Sequence, residues 1–201
     1  MSEISVELVK KMREMTGSPI MECKKALQKT GGKIDEAIKA LRTQGLASAR
    51  LKESRETKEG LISAYIHLDG KLGVLLEINC ESDFVAKTPD FRQLGHDIAM
   101  QIAASSPIYV SREQVPSEKI EEEKEIYIEQ ARLAGKPEHI LEKIAVGRLE
   151  KYFKDVCLLE QPFIREPKTS VKEHIAGVIA KLGENITIRR FVRFKVGESL
   201  G

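Results

Sequence analysis

Apolar residues in the first 45 positions recur at helical spacing in three groups, and glycine ends each group. Gly17 is placed to close the first helix with a left-handed residue, and Ser18 with Pro19 suits the cap and first position of the second. The third group is expected to end at Gly45. The pattern predicts a three-helix bundle over residues 1–45, whose apolar positions are Leu8, Met12, Met15, Ile20, Cys23, Leu27, Ile34, Ala37, Ile38 and Leu41.

From Leu46 to Glu59 the chain becomes polar and strongly charged. Closely spaced charges of both signs are typical of a solvated segment rather than a binding patch. We expect residues 46–59 to form a partly helical linker, which leaves residues 60–201 as a second domain.

Two apolar segments flank the dipeptide Asp69-Gly70. Asp-Gly between two such segments favours a two-residue hairpin turn, because both positions accept positive φ. The sequence therefore predicts a β-hairpin over residues 60–80, with its apolar positions at Leu61, Ala64, Ile66, Leu68, Leu72, Val74, Leu76 and Ile78.

Helical spacing returns in four later segments, at residues 89–105, 117–134, 137–156 and 170–182. The last segment, Asn185 to Val196, alternates like a strand. Its apolar side (Ile186, Ile188, Val192, Phe194, Val196) is expected to be buried and its basic side (Arg189, Arg193, Lys195) wet. The predicted fold class is α+β: a three-helix bundle followed by a core, residues 60–201, of a small antiparallel sheet packed with helices.

Between the hairpin and the next helix lies the segment Asn79–Thr88, Asn-Cys-Glu-Ser-Asp-Phe-Val-Ala-Lys-Thr. Thr88 suits the cap of a helix that starts at Pro89, and the Ser82 hydroxyl can bond the backbone of its own turn. Phe84 stands on this turn beside an aspartate. A loop phenylalanine either folds back over the core or offers an apolar surface to a partner, and the residue alone leaves both open.

Charge limits the classes of partner. Lys and Arg number 33 against 31 Asp and Glu, which gives a formal net charge of +2. The chain lacks the cationic excess that drives tight, sequence-independent binding to phosphate backbones. With 201 residues and 41% hydrophobic residues, it is long and apolar enough for a packed, soluble fold.

Three cysteines, Cys23, Cys80 and Cys157, lie far apart and show no CxxC spacing. This predicts neither a disulfide framework nor a zinc site. No window approaches the apolar length of a membrane span, and the N-terminus lacks the apolar core of a signal peptide. We expect reduced thiols in a cytoplasmic protein.

Motifs of catalysis and nucleotide binding are missing from the sequence. There is no G-x-x-x-x-G-K-[ST] or G-x-G-x-x-G phosphate-binding loop, no H-E-x-x-H and no G-x-S-x-G. We therefore expect a protein that is not an enzyme and has no cofactor, no metal and no nucleotide of its own.

Four phrases identify a family resemblance. They are Cys-Lys-Lys-Ala-Leu at 23–27, Asn-Cys-Glu-Ser-Asp-Phe-Val-Ala-Lys at 79–87, Leu-Glu-Gln-Pro-Phe at 159–163 and Leu-Gly-Glu-Asn-Ile-Thr-Ile-Arg-Arg at 182–190. In this order they resemble the elongation factor Ts family, the bacterial nucleotide exchange factors for elongation factor Tu. Ser82 stands where family members usually carry Thr, and it keeps the hydroxyl.

The resemblance implies that the bundle is a ubiquitin-associated-like domain that docks on the guanine nucleotide domain of elongation factor Tu. Ile20, Met21 and Lys24 match that docking surface, although Met21 as a core filler and Lys24 as a solvated charge remain alternatives. His67 matches a hairpin position that contacts the partner. Leu182 and Gly183, at a helix end, match a residue pair that also contacts elongation factor Tu.

The implied function is exchange: the protein binds elongation factor Tu in its GDP-bound and nucleotide-free states and promotes GDP release, so that GTP can load. Ser82, Asp83, Phe84 and Val85 would form the partner-binding loop that dislocates the Mg²⁺ ion of elongation factor Tu. The chain has room for one core copy, as in short family members that form homodimers, so residues 60–201 would be a dimerisation domain.

Two other functions remain open at this point. An RNA-binding module associated with translation would use Arg189, Arg190, Arg193 and Lys195, and it predicts salt-sensitive RNA binding without a GTPase. An adaptor module would bind a partner through the N-terminal bundle with no effect on nucleotide release.

Overall fold

The structure, a computed structural model, describes residues 4–198. Over these residues the chain forms eight α-helices, five strands and two short 3-10 helices at Arg112–Gln114 and Leu158–Glu160. The helices are α1 (Val6–Thr16), α2 (Ile20–Lys29), α3 (Ile34–Lys52), α4 (Asp83–Ala86), α5 (Pro89–Ser105), α6 (Ser117–Leu133), α7 (Glu138–Val156) and α8 (Val171–Leu182). The strands are β1 (Glu59–Ile66), β2 (Leu72–Cys80), β3 (Pro162–Phe163), β4 (Glu166–Ser170) and β5 (Ile186–Lys195). The predicted α+β class is confirmed.

Internal contacts divide the chain into two units, and each is described by itself. The first unit comprises the described part of Met1–Ile62 with Ile78–Gly95 and Glu173–Thr187. The second comprises Ser63–Glu77, His96–Lys172 and the described part of Ile188–Gly201. Within residues 4–198, none of the helices has the length and apolar character needed to cross a membrane.

The predicted three-helix arrangement is present in the first unit as α1, α2 and α3. Gly17 ends α1 in the left-handed conformation, with φ of 64°, and its N–H donates to the Arg13 carbonyl oxygen at 2.7 Å. This is the cap predicted for it. The buried centre of the bundle consists of Val9, Met12, Cys23, Ala26, Leu27 and Ala37.

Two helix boundaries in the bundle differ from the prediction. Pro19, not Ser18, occupies the cap position of α2, and no side chain caps that end. Helix α3 does not stop at Gly45 but continues to Lys52, into the predicted linker. Gly45 is a packing position, because a Cβ placed on it would lie 3.7 Å from both the Ala176 carbonyl oxygen and Ala180 Cβ of α8. The boundaries 1–45, 46–59 and 60–201 stay a prediction.

Strands β1, β2 and β5 form one sheet in that order. The hairpin between β1 and β2 is wider than predicted: His67 N–H donates to the Leu72 carbonyl oxygen at 2.8 Å, and Gly70 N–H donates to the His67 carbonyl oxygen at 2.8 Å. Four residues, Leu68–Lys71, therefore lie between the bonded pair instead of Asp69 and Gly70 alone. Gly70 has φ of 69°, which suits a turn followed by a left-handed residue.

The burial pattern of β5 corrects the prediction for its outer half. Ile186 and Ile188 are buried as expected, but Val192, Phe194 and Val196 are exposed. Arg193, expected to be wet, has a side chain only 15% exposed. The buried side of the strand changes after Ile188, where Arg189 and Arg190 are both exposed in succession.

Helices α6 and α7 of the second unit pack around Val115, Leu149, Phe153 and Cys157. Arg112 places its guanidinium carbon 4.6 Å from the centre of the Phe153 ring and binds the carboxylates of Glu150 and Glu160. The strands β3 and β4 form a separate antiparallel pair, which the sequence did not predict.

Candidate functional site

Residues 82–88 form a helical turn with a capping hydroxyl group at each end. Ser82 is the cap of α4, and its Oγ accepts from the Val85 N–H at 3.4 Å, as predicted. Thr88 Oγ1 accepts from the Phe91 N–H at 3.3 Å, which confirms Thr88 as the cap of α5. A hydroxyl at such a position replaces the partner that a backbone N–H of the first turn lacks.

The turn separates two apolar neighbours. The Phe84 side chain is 77% exposed, whereas Val85 is 5% exposed and Ala86 is also buried. Of the two alternatives for Phe84, folding back over the core is therefore excluded. An exposed aromatic residue on a capped turn is suited to a protein partner.

Asp83 lies beside Phe84 and forms an ion pair with Lys87. The Lys87 Nζ is 2.6 Å from Asp83 Oδ2, and both side chains are more than half exposed. The hydrogen bond from the ammonium group to the Asp83 carboxylate raises the pKa of Lys87, and the carboxylate charge acts in the same direction. A pair this exposed contributes little stability and leaves the carboxylate available.

Leu182 and Gly183, at the end of α8, lie next to this turn. Gly183 has φ of 82°, and its N–H donates to the Ile179 carbonyl oxygen at 2.9 Å. The following residue, Glu184, accepts hydrogen bonds from Ser82 through both carboxylate oxygens. The structure thus brings together two segments that the sequence predicted separately. Glu184 itself was not predicted, although it lies within a phrase that carries the family resemblance.

Helix α2 carries three more of the predicted partner-binding residues, Ile20, Met21 and Lys24. Met21 is 57% exposed and Ile20 is 43% exposed, and Lys24 is exposed as well. This excludes the core-filling alternative for Met21 and the inward position expected for Ile20. Met15, at the end of α1, was also predicted by its spacing to be one of the apolar positions of the bundle, but it is 57% exposed.

The end of α1 is close to the end of α8. A Cβ placed on Gly17 would lie 3.6 Å from Lys181 Nζ, which is itself 2.6 Å from Asp90 Oδ1 on α5. Lys181 therefore contacts both the bundle and the helix that follows the Phe84 turn. The first unit holds all predicted site residues except His67.

His67 belongs to the second unit. Its Nδ1 lies 3.0 Å from the Tyr65 hydroxyl oxygen, and the imidazole is exposed near the tip of the hairpin. The neighbouring Leu68 is almost fully exposed. The hairpin tip therefore presents a polar and an apolar side chain side by side.

The basic residues of the RNA-binding alternative face carboxylates in the second unit. Arg189 and Arg190 both bind Glu77, at 3.4 and 2.7 Å, and Arg193 and Lys195 lie 2.8 and 3.9 Å from Glu198. Paired cations attract a phosphate backbone less strongly than free ones. This arrangement does not favour RNA binding.

Comparison with known proteins agrees with the resemblance. The sequence profile of the family described as Elongation factor TS matches residues 3–198. The chain is 56% identical to elongation factor Ts of Thermodesulfovibrio yellowstonii over 196 residues, covering 98% of each chain. It is also similar to elongation factor Ts of Heliobacterium modesticaldum, at 56% over 98% of this chain and 92% of the relative. The corresponding protein of Thermotoga petrophila is 54% identical over 98% of each chain. The chain therefore belongs to the elongation factor Ts family.

Proposed function

We propose that this protein is a guanine nucleotide exchange factor for elongation factor Tu, which binds the GDP-bound GTPase, promotes GDP release and lets GTP load. The observation that carries the proposal is the exposed Phe84 on its capped turn. Membership of the elongation factor Ts family supports it. The protein acts in the cytoplasm on the nucleotide of its partner, and makes or breaks no covalent bond itself.

In this mechanism Phe84 inserts between helices of the GTPase and Asp83 bonds beside it, so that the Mg²⁺ ion and the phosphate-binding loop are displaced. Ser82 and Val85 support Phe84 and Asp83 structurally: Ser82 caps the turn, and Val85 packs into the core. GDP loses contacts that depend on the ion and the loop, and dissociates faster.

The free energy of burying one phenylalanine limits how much Phe84 can contribute alone. Burying a Phe side chain contributes about 1.5 to 3 kcal/mol, which corresponds to about ten- to a hundredfold in an equilibrium constant. Larger acceleration requires the other partner contacts. We assign these to Ile20, Met21 and Lys24 on α2, to Leu182 and Gly183, and to His67 in the second unit.

The affinities of elongation factor Tu for GDP and for the exchange factor are thermodynamically linked, and this linkage determines when the exchange factor binds and leaves. Whatever factor the exchange factor removes from the affinity of the GTPase for GDP, bound GDP removes from the affinity for the exchange factor. The complex is therefore tightest with nucleotide-free elongation factor Tu. Binding of GTP then releases the exchange factor.

We also propose that a second copy of the chain covers the outer face of the sheet in the second unit. Ile66, Leu75, Phe194 and Val196 are exposed there and line a hollow of about 440 Å³ together with Gly70, Lys71, Gly73, Val74 and Lys195. Contiguous apolar side chains on a strand face are typical of a protein interface. A homodimer would bury them, as in the short family members that this chain resembles.

The test is stopped-flow release of fluorescent GDP from elongation factor Tu with the intact protein, Phe84→Ala and buffer. We expect fast release with the intact protein and a loss of about ten- to a hundredfold with Phe84→Ala. Leu133→Ala is the control, because Leu133 is 80% exposed on α6 and lies outside the proposed contacts.

The possible results separate the hypotheses. Fast release that is unchanged by Phe84→Ala would keep the exchange activity and reject Phe84 as its main contact. If the intact protein gave no acceleration, the exchange function would be wrong. Binding to elongation factor Tu without acceleration would then favour the adaptor, and salt-sensitive binding to RNA would favour the RNA-binding module.

A further inference from the structure

The carboxylate of Glu184 binds one residue of the Phe84 turn twice. Its Oε2 accepts from the Ser82 N–H at 3.0 Å, and its Oε1 accepts from the Ser82 hydroxyl at 2.6 Å. Because the hydroxyl proton points to Glu184, a lone pair of the same oxygen is left to accept from the Val85 N–H. Hydrogen bonds to a charged group are stronger than neutral ones. Glu184 therefore fixes the orientation of the residue that caps the turn.

Asn185, the next residue, connects this loop to the end of α3. It is buried, and its backbone N–H donates to Glu81 Oε1 at 2.6 Å. Its side-chain Nδ2 donates to the carbonyl oxygens of Arg55 at 2.9 Å and Glu53 at 3.4 Å. Carbonyl groups at and beyond a helix end lack partners within the helix, so a side-chain amide is a suitable donor for them.

Helix α3 is part of the bundle whose α2 carries Ile20 and Met21. Its Gly45 packs on α8, the helix that leads directly into Glu184 and Asn185. Within the first unit, the Phe84 turn is therefore bonded to Glu184, and the chain that follows α3 is bonded to the adjacent Asn185. The pair Glu184 and Asn185 is called the tether below.

We infer that the tether residues are positioning residues for nucleotide exchange: they hold the Phe84 turn and the docking face of α2 in fixed places before the partner binds. This inference rests on the proposed function. A loop that is already ordered loses less conformational freedom on binding, so more encounters lead to insertion of Phe84. Neither tether residue needs to contact the nucleotide for this role.

The first test measures the tether without the partner, by amide hydrogen exchange of the isolated protein. We expect the amides of residues 82–86 to exchange about tenfold faster in Glu184→Ala, because two hydrogen bonds to a charged group are lost. Glu184→Gln keeps one acceptor oxygen and should be intermediate. Glu150→Ala, which loses comparable bonds to Arg112 in the second unit, is the control and should leave these amides unchanged. Unchanged exchange in Glu184→Ala would overturn the inference.

The second test separates positioning from a merely structural role, using GDP release at increasing concentrations of exchange factor. For Glu184→Ala we expect the maximal rate to fall about tenfold, with the half-saturating concentration changed less than about threefold, because the bundle still docks. In a Ser82→Ala background, Glu184→Ala should cost less than in the intact protein, because the bond from the hydroxyl is already lost and only the bond from the Ser82 N–H remains to be removed. A maximal rate equal to that of the intact protein, or a loss that is independent of Ser82, would overturn the role of Glu184.

Asn185→Ala tests the other half of the tether. It removes the bonds to Arg55 and Glu53, so the half-saturating concentration should rise about tenfold while the amides of residues 82–86 change less than in Glu184→Ala. An unchanged half-saturating concentration would overturn this part. Failure of the intact protein to accelerate GDP release would instead reject the proposed function, whereas amide exchange reports the tether contacts independently.

Discussion

Phe84 and Val85 are neighbours in the chain, yet Phe84 is 77% exposed and Val85 only 5% exposed. Successive residues of an α-helix point about 100° apart, so one turn of α4 is enough to separate their environments. Ser82 sets where this turn begins and therefore which of the two side chains faces outward. The exposed residue is held in place by its buried neighbour.

This arrangement predicts that two neighbouring alanine substitutions differ in their effect on the free energy of unfolding. Val85→Ala should lower the free energy of unfolding by about 1 to 3 kcal/mol, because it removes buried methyl groups. Phe84→Ala should change it by less than about 0.5 kcal/mol, although it reduces GDP release. Urea denaturation of both variants and the intact protein gives the two values. A larger stability loss for Phe84→Ala would contradict the exposed position of Phe84.

The ion pair between Asp83 and Lys87 predicts a small effect for Lys87→Met. Exposed pairs contribute about 0 to 1 kcal/mol, so freeing Asp83 from Lys87 should change the GDP release rate by less than about fivefold. Asp83→Ala should be more harmful, because it removes the group offered to the partner. Lys119→Met is a matched control, since Lys119 forms a similar exposed pair with Glu122 at 2.9 Å. A loss with Lys87→Met as large as with Asp83→Ala would show that Lys87 itself contacts the partner.

The sequence predicted strand β5, but the predicted burial of its apolar side chains is right only for Ile186 and Ile188. Its apolar residues keep one parity from Ile186 to Val196, whereas burial changes side after Ile188. Arg189 and Arg190 are exposed in succession, and both reach Glu77. Alternation along one strand carries no information about a local irregularity or about whether a second layer covers each face.

In the candidate site, too, the sequence predicts short-range contacts but not long-range ones. The caps at Ser82 and Thr88 were predictable because donor and acceptor are three residues apart. The contact between Ser82 and Glu184 spans 102 positions, and neither residue type nor spacing indicates it. Exposure of Met21 and Phe84 also depends on packing of distant segments. The residues of the site were therefore easier to predict than the contacts that support them.

Cys80 and Cys157 are buried, and we expect their thiols to react slowly with thiol reagents in the native protein. Burial raises the pKa of Cys80 to about 11, with the Glu184 charge as a further cause. Burial also raises the pKa of Cys157 to about 11, aided by Glu160. Because the thiolate is the reactive form, a thiol reagent at pH 8 should modify these residues rapidly only after unfolding in urea. Rapid modification of the folded protein at either cysteine would contradict their burial.

The same shifts predict a loss of stability at alkaline pH. An unfolded thiol ionises near its ordinary pKa of 9.0, whereas the pKa of each of these thiols in the folded protein is about 11. The stabilising contribution is therefore complete below about pH 9 and declines as the pH rises toward 11. The free energy of unfolding at pH 8 and pH 10.5 should fall less steeply in a Cys80→Ala, Cys157→Ala variant. Equal declines in both proteins would contradict the prediction.

The exposed sheet face predicts the behaviour of Phe194→Asp. In the proposed homodimer, this substitution buries a carboxylate in an apolar contact, and two-fold symmetry applies the change twice. The dimer should dissociate at a protein concentration at least about a hundredfold higher than for the intact protein. Sedimentation velocity over a concentration series measures this shift. Ile108→Asp is the control, because Ile108 is 63% exposed in the second unit but does not line the hollow. An intact protein that stays monomeric at high concentration would reject the homodimer, and a dimer that survives Phe194→Asp would place its interface on another face.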